Sequence, residues 1–282
     1  MKTYYLDLVG LRVVLHTPEP ITIGDNLRPF LCQPHPMWDF VITVQYRDAL
    51  PETAEGGIWR GPEYFDYGQG NLRIFHCHVP GGDAFALTCF DETGNVQMDV
   101  LPAFAGCVSG SEGILNRIGL ETLLLQQDTL LLHASWIIYN GKGIAFAGPS
   151  GVGKSTQAQF WQDLMQAKVA NGDRAALRKI GQQWLAYGSP YAGTSGIYEN
   201  LSAPLQAVVL LEQGDRNCLE RLSAVQALSG IYPELSIHRW DRNFAEKATD
   251  LCLQLLADVP VYRLSCKPEE AAVLLLKKGL LL

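Results

Sequence analysis

Several features are scarce or missing in this 282-residue sequence, and each absence excludes a class of protein. Basic residues do not outnumber acidic ones, and the formal net charge of −7 argues against a nucleic-acid partner, which requires a basic surface. Apolar runs such as 129–139 are too short to span a bilayer. Asp7 and Arg12 interrupt the apolar start of the chain, so we expect neither a signal peptide nor a membrane partner.

Paired cysteines, repeats and low-complexity segments are also missing. The seven cysteines stand singly, none belongs to a C-x-x-C motif, and their number is odd. This pattern is typical of a reducing compartment, and we expect the protein to be cytoplasmic. The composition, 48% hydrophobic and 18% charged, is that of an ordinary folded protein.

The character of the chain changes near residue 110. Before it, short strand-like runs alternate with turn signals, which predicts a β-rich region over 1–110 with antiparallel strands. After it, apolar residues first recur at helical spacing around Ile114 and Ile118, and helical and strand patterns then alternate. We therefore predict two domains, 1–110 and 111–282, and a mixed α/β or α+β fold.

The strongest motif is GPSGVGKST at 148–156, which matches the phosphate-binding pattern G-x-x-x-x-G-K-[ST]. An apolar strand pattern precedes it and a helical pattern follows it, as such a loop requires. The alternative is a glycine-rich turn that contains a lysine by chance. The motif predicts that a nucleotide is bound by Gly148, Pro149, Ser150, Gly151, Val152, Gly153, Lys154, Ser155 and Thr156.

Two residues outside the loop are candidates for chemistry. Asp173 follows the predicted loop helix by one short strand, so its carboxylate is expected near the phosphates, where it could hold Mg²⁺ together with Ser155 or accept a proton. The alternative is that Asn171-Gly172-Asp173 is only a turn, since Asn-Gly is a strong turn signal. His133 precedes the loop by one strand, but a single histidine in an apolar strand is more often a core residue.

The stretch from LLHAS through GKGIAFAGPSGVGKST to VANGDR resembles the catalytic domain of HPr kinase/phosphorylase, of the phosphoenolpyruvate carboxykinase-like fold. In that family a histidine precedes the loop by the same interval as His133, and an Asp-Asp-Arg ends the next strand. Within the family, the segment 193–214 is most similar to the serine kinases of modified-peptide (lasso-type) gene clusters. Two departures stand out: Gly172 occupies the first Asp position, and AGTSG at 192–196 replaces an R-G-x-G segment, which puts phosphorylase activity in doubt.

The resemblance implies an ATP-dependent kinase with Mg²⁺ that phosphorylates a serine of a peptide or protein, with Lys154, Asp173 and His133 as catalytic residues. It implies a β-rich mixed sheet around the loop. We expect the β-rich N-terminal half to pack on this kinase domain, and because no nucleotide function requires that half, it could recognise the acceptor. Two alternatives stay open, a small-molecule kinase for an amino acid or sugar and a regulatory ATPase or nucleotide-binding module. Neither the choice between Asp173 and His133 as the base nor a homo-oligomeric state follows from the sequence.

Overall fold

The computed structural model describes residues 1–68 and 70–281. The chain has a mixed α+β structure built on two large sheets in these residues. It divides into two compact units, Met1–Leu123 and Leu124–Leu282. No helix within 1–68 and 70–281 combines the length and apolar character needed to cross a membrane.

The first unit contains one open eight-stranded sheet with the order β1-β2-β3-β8-β7-β6-β5-β4. We expected antiparallel strands throughout, and this was wrong for two pairs, because β2–β3 and β3–β8 are parallel. The long connection between β2 and β3 lets the chain cross over before it re-enters the sheet. The strands are β1 (Lys2–Leu8), β2 (Leu11–Thr17), β3 (Phe40–Tyr46), β4 (Ile58–Arg60), β5 (Glu63–Gly68), β6 (Asn71–Cys77), β7 (Ala84–Phe90) and β8 (Val96–Val100).

The helical pattern after residue 110 forms two short helices, α1 (Ser111–Leu115) and α2 (Leu120–Gln126). Between them Gly119 adopts a φ of +60°, a left-handed conformation that ends a helix. Gly119 also lies against Phe90, where an added Cβ would approach the ring to 2.9 Å. The glycine therefore both breaks the helix and permits close packing on the sheet.

The second unit is built on a mixed sheet with the order β10-β9-β12-β13-β14-β16-β15, and β11 also pairs with β9. The pairs β10–β14 and β14–β16 are parallel, so these three strands end at the same edge. The strands are β9 (Thr129–Tyr139), β10 (Lys142–Ala147), β11 (Lys168–Asn171), β12 (Arg174–Ile180), β13 (Gln183–Tyr187), β14 (Ser202–Gln213), β15 (Cys218–Arg221) and β16 (Val261–Cys266).

Helices cover both faces of this sheet, and they are α3 (Lys154–Met165), α4 (Ala224–Ile231), α5 (Arg242–Asp258) and α6 (Glu270–Gly279). One core packs α3 and α6 on one face, and a second core packs α4 and α5 on the other. Strand β10 contributes side chains to both cores. Ile144 and Phe146 belong to the core with α3 and α6, and Ala145 and Ala147 belong to the core with α4 and α5. The end of β10 is thus fixed from both sides, immediately before the glycine-rich motif.

Candidate active site

The motif 148–156 forms the turn after a strand and the start of the following helix. Strand β10 ends at Ala147, the turn occupies Gly148–Gly153, and α3 begins at Lys154. Within the turn, Gly148, Gly151 and Gly153 have φ values of +139°, +80° and +113°, which side chains with a Cβ rarely adopt. These glycines let the backbone curl tightly at the positive end of the helix dipole, the arrangement that suits an anion.

Lys154 is largely buried within this turn, with 8% of its surface exposed. Its Nζ donates hydrogen bonds to the carbonyl oxygens of Gly148 at 2.7 Å and Pro149 at 3.2 Å. Burial lowers the Lys154 pKa, while the negative charges of Glu234 and Asp173 act in the opposite direction. The lysine therefore lies within electrostatic reach of both acids.

The next two residues, Ser155 and Thr156, lie in the first turn of α3 with exposed side chains. Their hydroxyls are accessible for a ligand at the helix N-terminus. An exposed serine hydroxyl is an oxygen donor of the type that Mg²⁺ prefers. The described residues contain no group of three or more His, Cys, Asp or Glu side chains arranged to hold a metal ion by themselves. A cation here would need oxygen ligands from phosphate or water to complete its shell.

Asp173 does not lie in a hairpin turn. Strands β11 and β12 both run antiparallel to β9: Asn171 lies opposite Trp136 and Arg174 lies opposite His133. The backbone carbonyl of Asp173 accepts a hydrogen bond from the amide of Ala134 at 2.9 Å, so the chain continues along β9. The alternative, that this segment is only a turn, does not fit the structure, because Asn171 and Arg174 keep one register along β9.

The buried side chain of Asn171 holds this segment in place. Its Oδ1 accepts hydrogen bonds from the backbone amides of Asp173 and Arg174, both at 2.8 Å. Its Nδ2 donates to the carbonyl oxygens of Ser189 and Tyr191, both at 2.9 Å. One fully buried amide thus joins the Asp173 segment to the segment that follows β13.

His133 lies between two carboxylates. Its Nε2 is 3.4 Å from Asp173 Oδ1, and its Nδ1 is 3.1 Å from Glu234 Oε2. Arg174 Nε approaches the other oxygen of Asp173 at 3.3 Å. His133 is therefore not a satisfied core residue, because its ring is 29% exposed and both ring nitrogens face acids. The structure brings His133, Asp173 and the environment of Lys154 together.

The acid that sequence reasoning missed is Glu234. It belongs to the short 3₁₀ turn Tyr232–Glu234, which follows α4. The next residues are tied to β9: Leu235 bridges Leu132, and the Ser236 amide donates to the Leu131 carbonyl at 2.9 Å. No local sequence motif predicts Glu234 as a site residue, because 101 positions separate it from His133.

Gly172, the residue before Asp173, has no room for a side chain. A Cβ built on Gly172 would lie 2.0 Å from Oγ and 2.4 Å from Cβ of Ser195. Ser195 belongs to a 3₁₀ turn, Gly193–Ser195, whose first residue also packs against the Asp173 side chain. The segment 192–196 therefore lies beside Asp173 and occupies the space that a side chain at position 172 would need.

Comparison with known proteins adds little to this geometry. No protein-family model matches the chain. No curated protein matches it either. Among solved structures, the chain is similar to the Hpr(Ser) kinase/phosphatase from Coxiella burnetii, with 12% identity and a TM-score of 0.33. That match covers 52% of this chain and 86% of the other. A TM-score this low does not assign an activity, and the resemblance to lasso-type peptide kinases stays a prediction.

The packing of Ser195 on Gly172 predicts a specific pair of substitutions. Gly172→Ala should lower the free energy of unfolding by about 1–3 kcal/mol, since the new methyl group overlaps Ser195. In a Ser195→Gly background the same change should be nearly neutral, because both colliding atoms are gone. Urea unfolding of the two single variants and the double variant measures this coupling.

Gly143→Ala is the matched control, because its added Cβ meets no atom closer than 3.5 Å and should leave the free energy of unfolding unchanged. Equal losses from Gly172→Ala with and without Ser195 would contradict the packing that we describe.

Proposed function

We propose that the protein is an ATP-dependent kinase that transfers the γ-phosphoryl group to a hydroxyl, namely a serine of a peptide or protein. The observation that carries the proposal is the position of Asp173, which contacts His133 and lies within electrostatic reach of Lys154 at the glycine-rich turn. A phosphate-binding loop alone fits many nucleotide-binding proteins. A histidine and two carboxylates beside it are the groups that a transfer to a hydroxyl requires.

The phosphates would be bound by the backbone amides of the Gly148–Gly153 turn and by Lys154. In the free protein, Lys154 donates to two carbonyls of its own turn. Phosphate oxygens would replace these weaker acceptors and strengthen the bonds, because both partners would then be charged. Mg²⁺, held by Ser155, Asp173 and phosphate oxygens, would neutralise charge on the transferred group.

Position 172 carries no acid, and Glu234 would instead supply the carboxylate that orients His133. A neutral imidazole has one N–H, so His133 can donate Nδ1–H to Glu234 at 3.1 Å and leave Nε2 as an acceptor once Asp173, 3.4 Å from Nε2, binds the cation. This is the arrangement of an acid, a histidine and a hydroxyl that serves nucleophile activation elsewhere. In the transfer, the serine oxygen bonds to the γ-phosphorus, its proton passes to His133 Nε2, and the bond to the ADP oxygen breaks. Asp173 would then be left to hold the cation.

The first unit has a feature that suits an extended acceptor peptide. Its sheet is open and ends in the short strand β4, whose Trp59 is 38% exposed. A free strand edge binds extended peptides through main-chain hydrogen bonds. A small-molecule kinase or a regulatory ATPase would share the phosphate site, but neither makes use of such an edge.

Replacement of Lys154 tests the phosphate site. Lys154→Met keeps the shape of the side chain and removes its charge, so phosphoryl transfer should fall about 100-fold or more. The thermal stability of the free protein should not fall, since burial already disfavours this charge. Lys168→Met, at a lysine that is half-exposed on β11, is the control and should keep full activity. Near-normal transfer by Lys154→Met would refute the kinase proposal.

The two acids should give different defects. Asp173→Asn should raise the Mg²⁺ concentration needed for half-maximal transfer, because it removes a charged metal ligand. Glu234→Gln should leave that Mg²⁺ requirement unchanged and lower kcat by about 10- to 100-fold, because the histidine loses its charged partner. Steady-state kinetics over a Mg²⁺ titration separate the two effects. The assignment of roles is wrong if both variants change the Mg²⁺ requirement equally.

The acceptor is tested directly with the full-length protein, ATP and Mg²⁺. Mass spectrometry should find a phosphate on serine in a peptide encoded by a gene next to its own, and Ser→Ala peptides should stay unmodified. Free serine and common sugars serve as competing acceptors in the same assay. Efficient phosphorylation of a free amino acid or sugar, with none on any peptide, would establish the small-molecule kinase instead. Slow ATP hydrolysis without any phosphorylated acceptor would favour the regulatory ATPase.

A further inference from the structure

The 3₁₀ turn Gly193–Ser195 lies directly against the carboxylate of the candidate site. A Cβ built on Gly193 would lie 2.8 Å from Cγ and 2.9 Å from Oδ1 of Asp173. The same Oδ1 faces His133 Nε2 at 3.4 Å. The turn therefore borders the two side chains that, under the proposed function, act beside the acceptor hydroxyl.

Thr194 is the next residue of this turn, and it is exposed. Adjacent Cα atoms are about 3.8 Å apart, so the Thr194 Cα lies at most about 8 Å from the carboxyl carbon of Asp173. Because the chain tethers this hydroxyl beside the site, its effective concentration there is high. A threonine hydroxyl has the same donor and acceptor chemistry as the serine hydroxyl of the proposed substrate.

Two serine hydroxyls near the site are less suitable as phosphate acceptors, because both already have partners. Ser195 Oγ donates a hydrogen bond to the Ala192 carbonyl at 2.6 Å. Ser236 Oγ accepts a hydrogen bond from Arg174. Transfer to either serine would first have to break these bonds. The exposed hydroxyl of Thr194 is therefore the best acceptor of the three.

Glycines flank this threonine on both sides of the turn. Gly193 and Gly196 have φ values of +52° and +64°. Glycine adopts left-handed and right-handed conformations about equally well, so a change of backbone angles at these two residues costs little. Such a change can turn the Thr194 hydroxyl toward a γ-phosphate that lies beside Asp173.

We propose that Thr194 is a self-phosphorylation site, and that the protein transfers the γ-phosphoryl group of ATP to the Thr194 hydroxyl of the same chain. The inference rests on the proposed function and deepens it, because it adds an acceptor within the chain itself. In this step the Thr194 oxygen bonds to the γ-phosphorus, its proton passes to His133 Nε2, and the bond from the γ-phosphorus to the ADP oxygen breaks. The products are phosphothreonine and ADP.

The test incubates the purified full-length protein with ATP and Mg²⁺ and without any peptide. Mass spectrometry should find one phosphate per chain, on Thr194. The rate per molecule should not change when the protein is diluted, because donor site and acceptor belong to one chain. Lys154→Met should stay unmodified, since it lacks the charge proposed to bind the phosphates, and this variant excludes a contaminating kinase.

Variants of the acceptor separate its chemistry from its shape. Thr194→Val keeps the branched shape and removes the hydroxyl, so the phosphate should be lost while transfer to a peptide serine is kept. Thr194→Ser restores a hydroxyl and should be phosphorylated at the same position. Both variants should unfold at the wild-type temperature, because the side chain is exposed. Thr53→Val, at an exposed threonine of the first unit, is the matched control and should still carry one phosphate on Thr194.

Three outcomes would overturn the inference. The first is phosphate on Ser195 or another residue instead of Thr194, and the second is a rate per molecule that rises with protein concentration. The third is a protein that phosphorylates a peptide serine and carries no phosphate itself, which would leave the proposed function intact. Absence of transfer both to the chain and to every added acceptor would overturn the proposed function and this inference with it.

Discussion

The candidate site depends on one buried side chain, the amide of Asn171. It uses its oxygen to hold the amides of Asp173 and Arg174, and its nitrogen to hold two carbonyls after β13. A fully buried amide is stable only when its donors and acceptor are paired, so these bonds restrict one another. Because Asn171 fixes the backbone of Asp173 against β9, the carboxylate meets His133 and lies within the electrostatic reach of Lys154.

The same constraint explains why position 172 carries no side chain. The segment after β13 that Asn171 binds leads into the Gly193–Ser195 turn, and Ser195 fills the space where a side chain at position 172 would lie. A second carboxylate cannot stand at Gly172 while that turn is in place. Glu234 reaches His133 from α4 and its following turn instead. The site thus has two acids, but they approach from different parts of the fold and contact different nitrogens of one ring.

Sequence reasoning succeeded where the structure is local. The strand, turn and helix around Lys154 follow from glycines and apolar spacing within about twenty residues, and all three elements are present. It did not find Glu234, because that contact arises from a chain reversal a hundred residues later that only the packed sheet defines. It also misjudged strand direction at β2–β3 and β3–β8, since strand patterns do not encode which neighbour a strand chooses. The roles of Lys154, Asp173 and His133 stay predictions.

The charges of Lys154 and of the two acids influence one another. Burial among the carbonyls of its own turn lowers the Lys154 pKa, and the charges of Glu234 and Asp173 oppose that effect. The two acids therefore help to keep the lysine protonated before any ligand arrives, although neither bonds to it directly. Phosphates would bring more negative charge and favour the protonated lysine further, and they would repel the acids unless a cation lay between them. Under the proposed function, a nucleotide would therefore bind here together with a divalent metal.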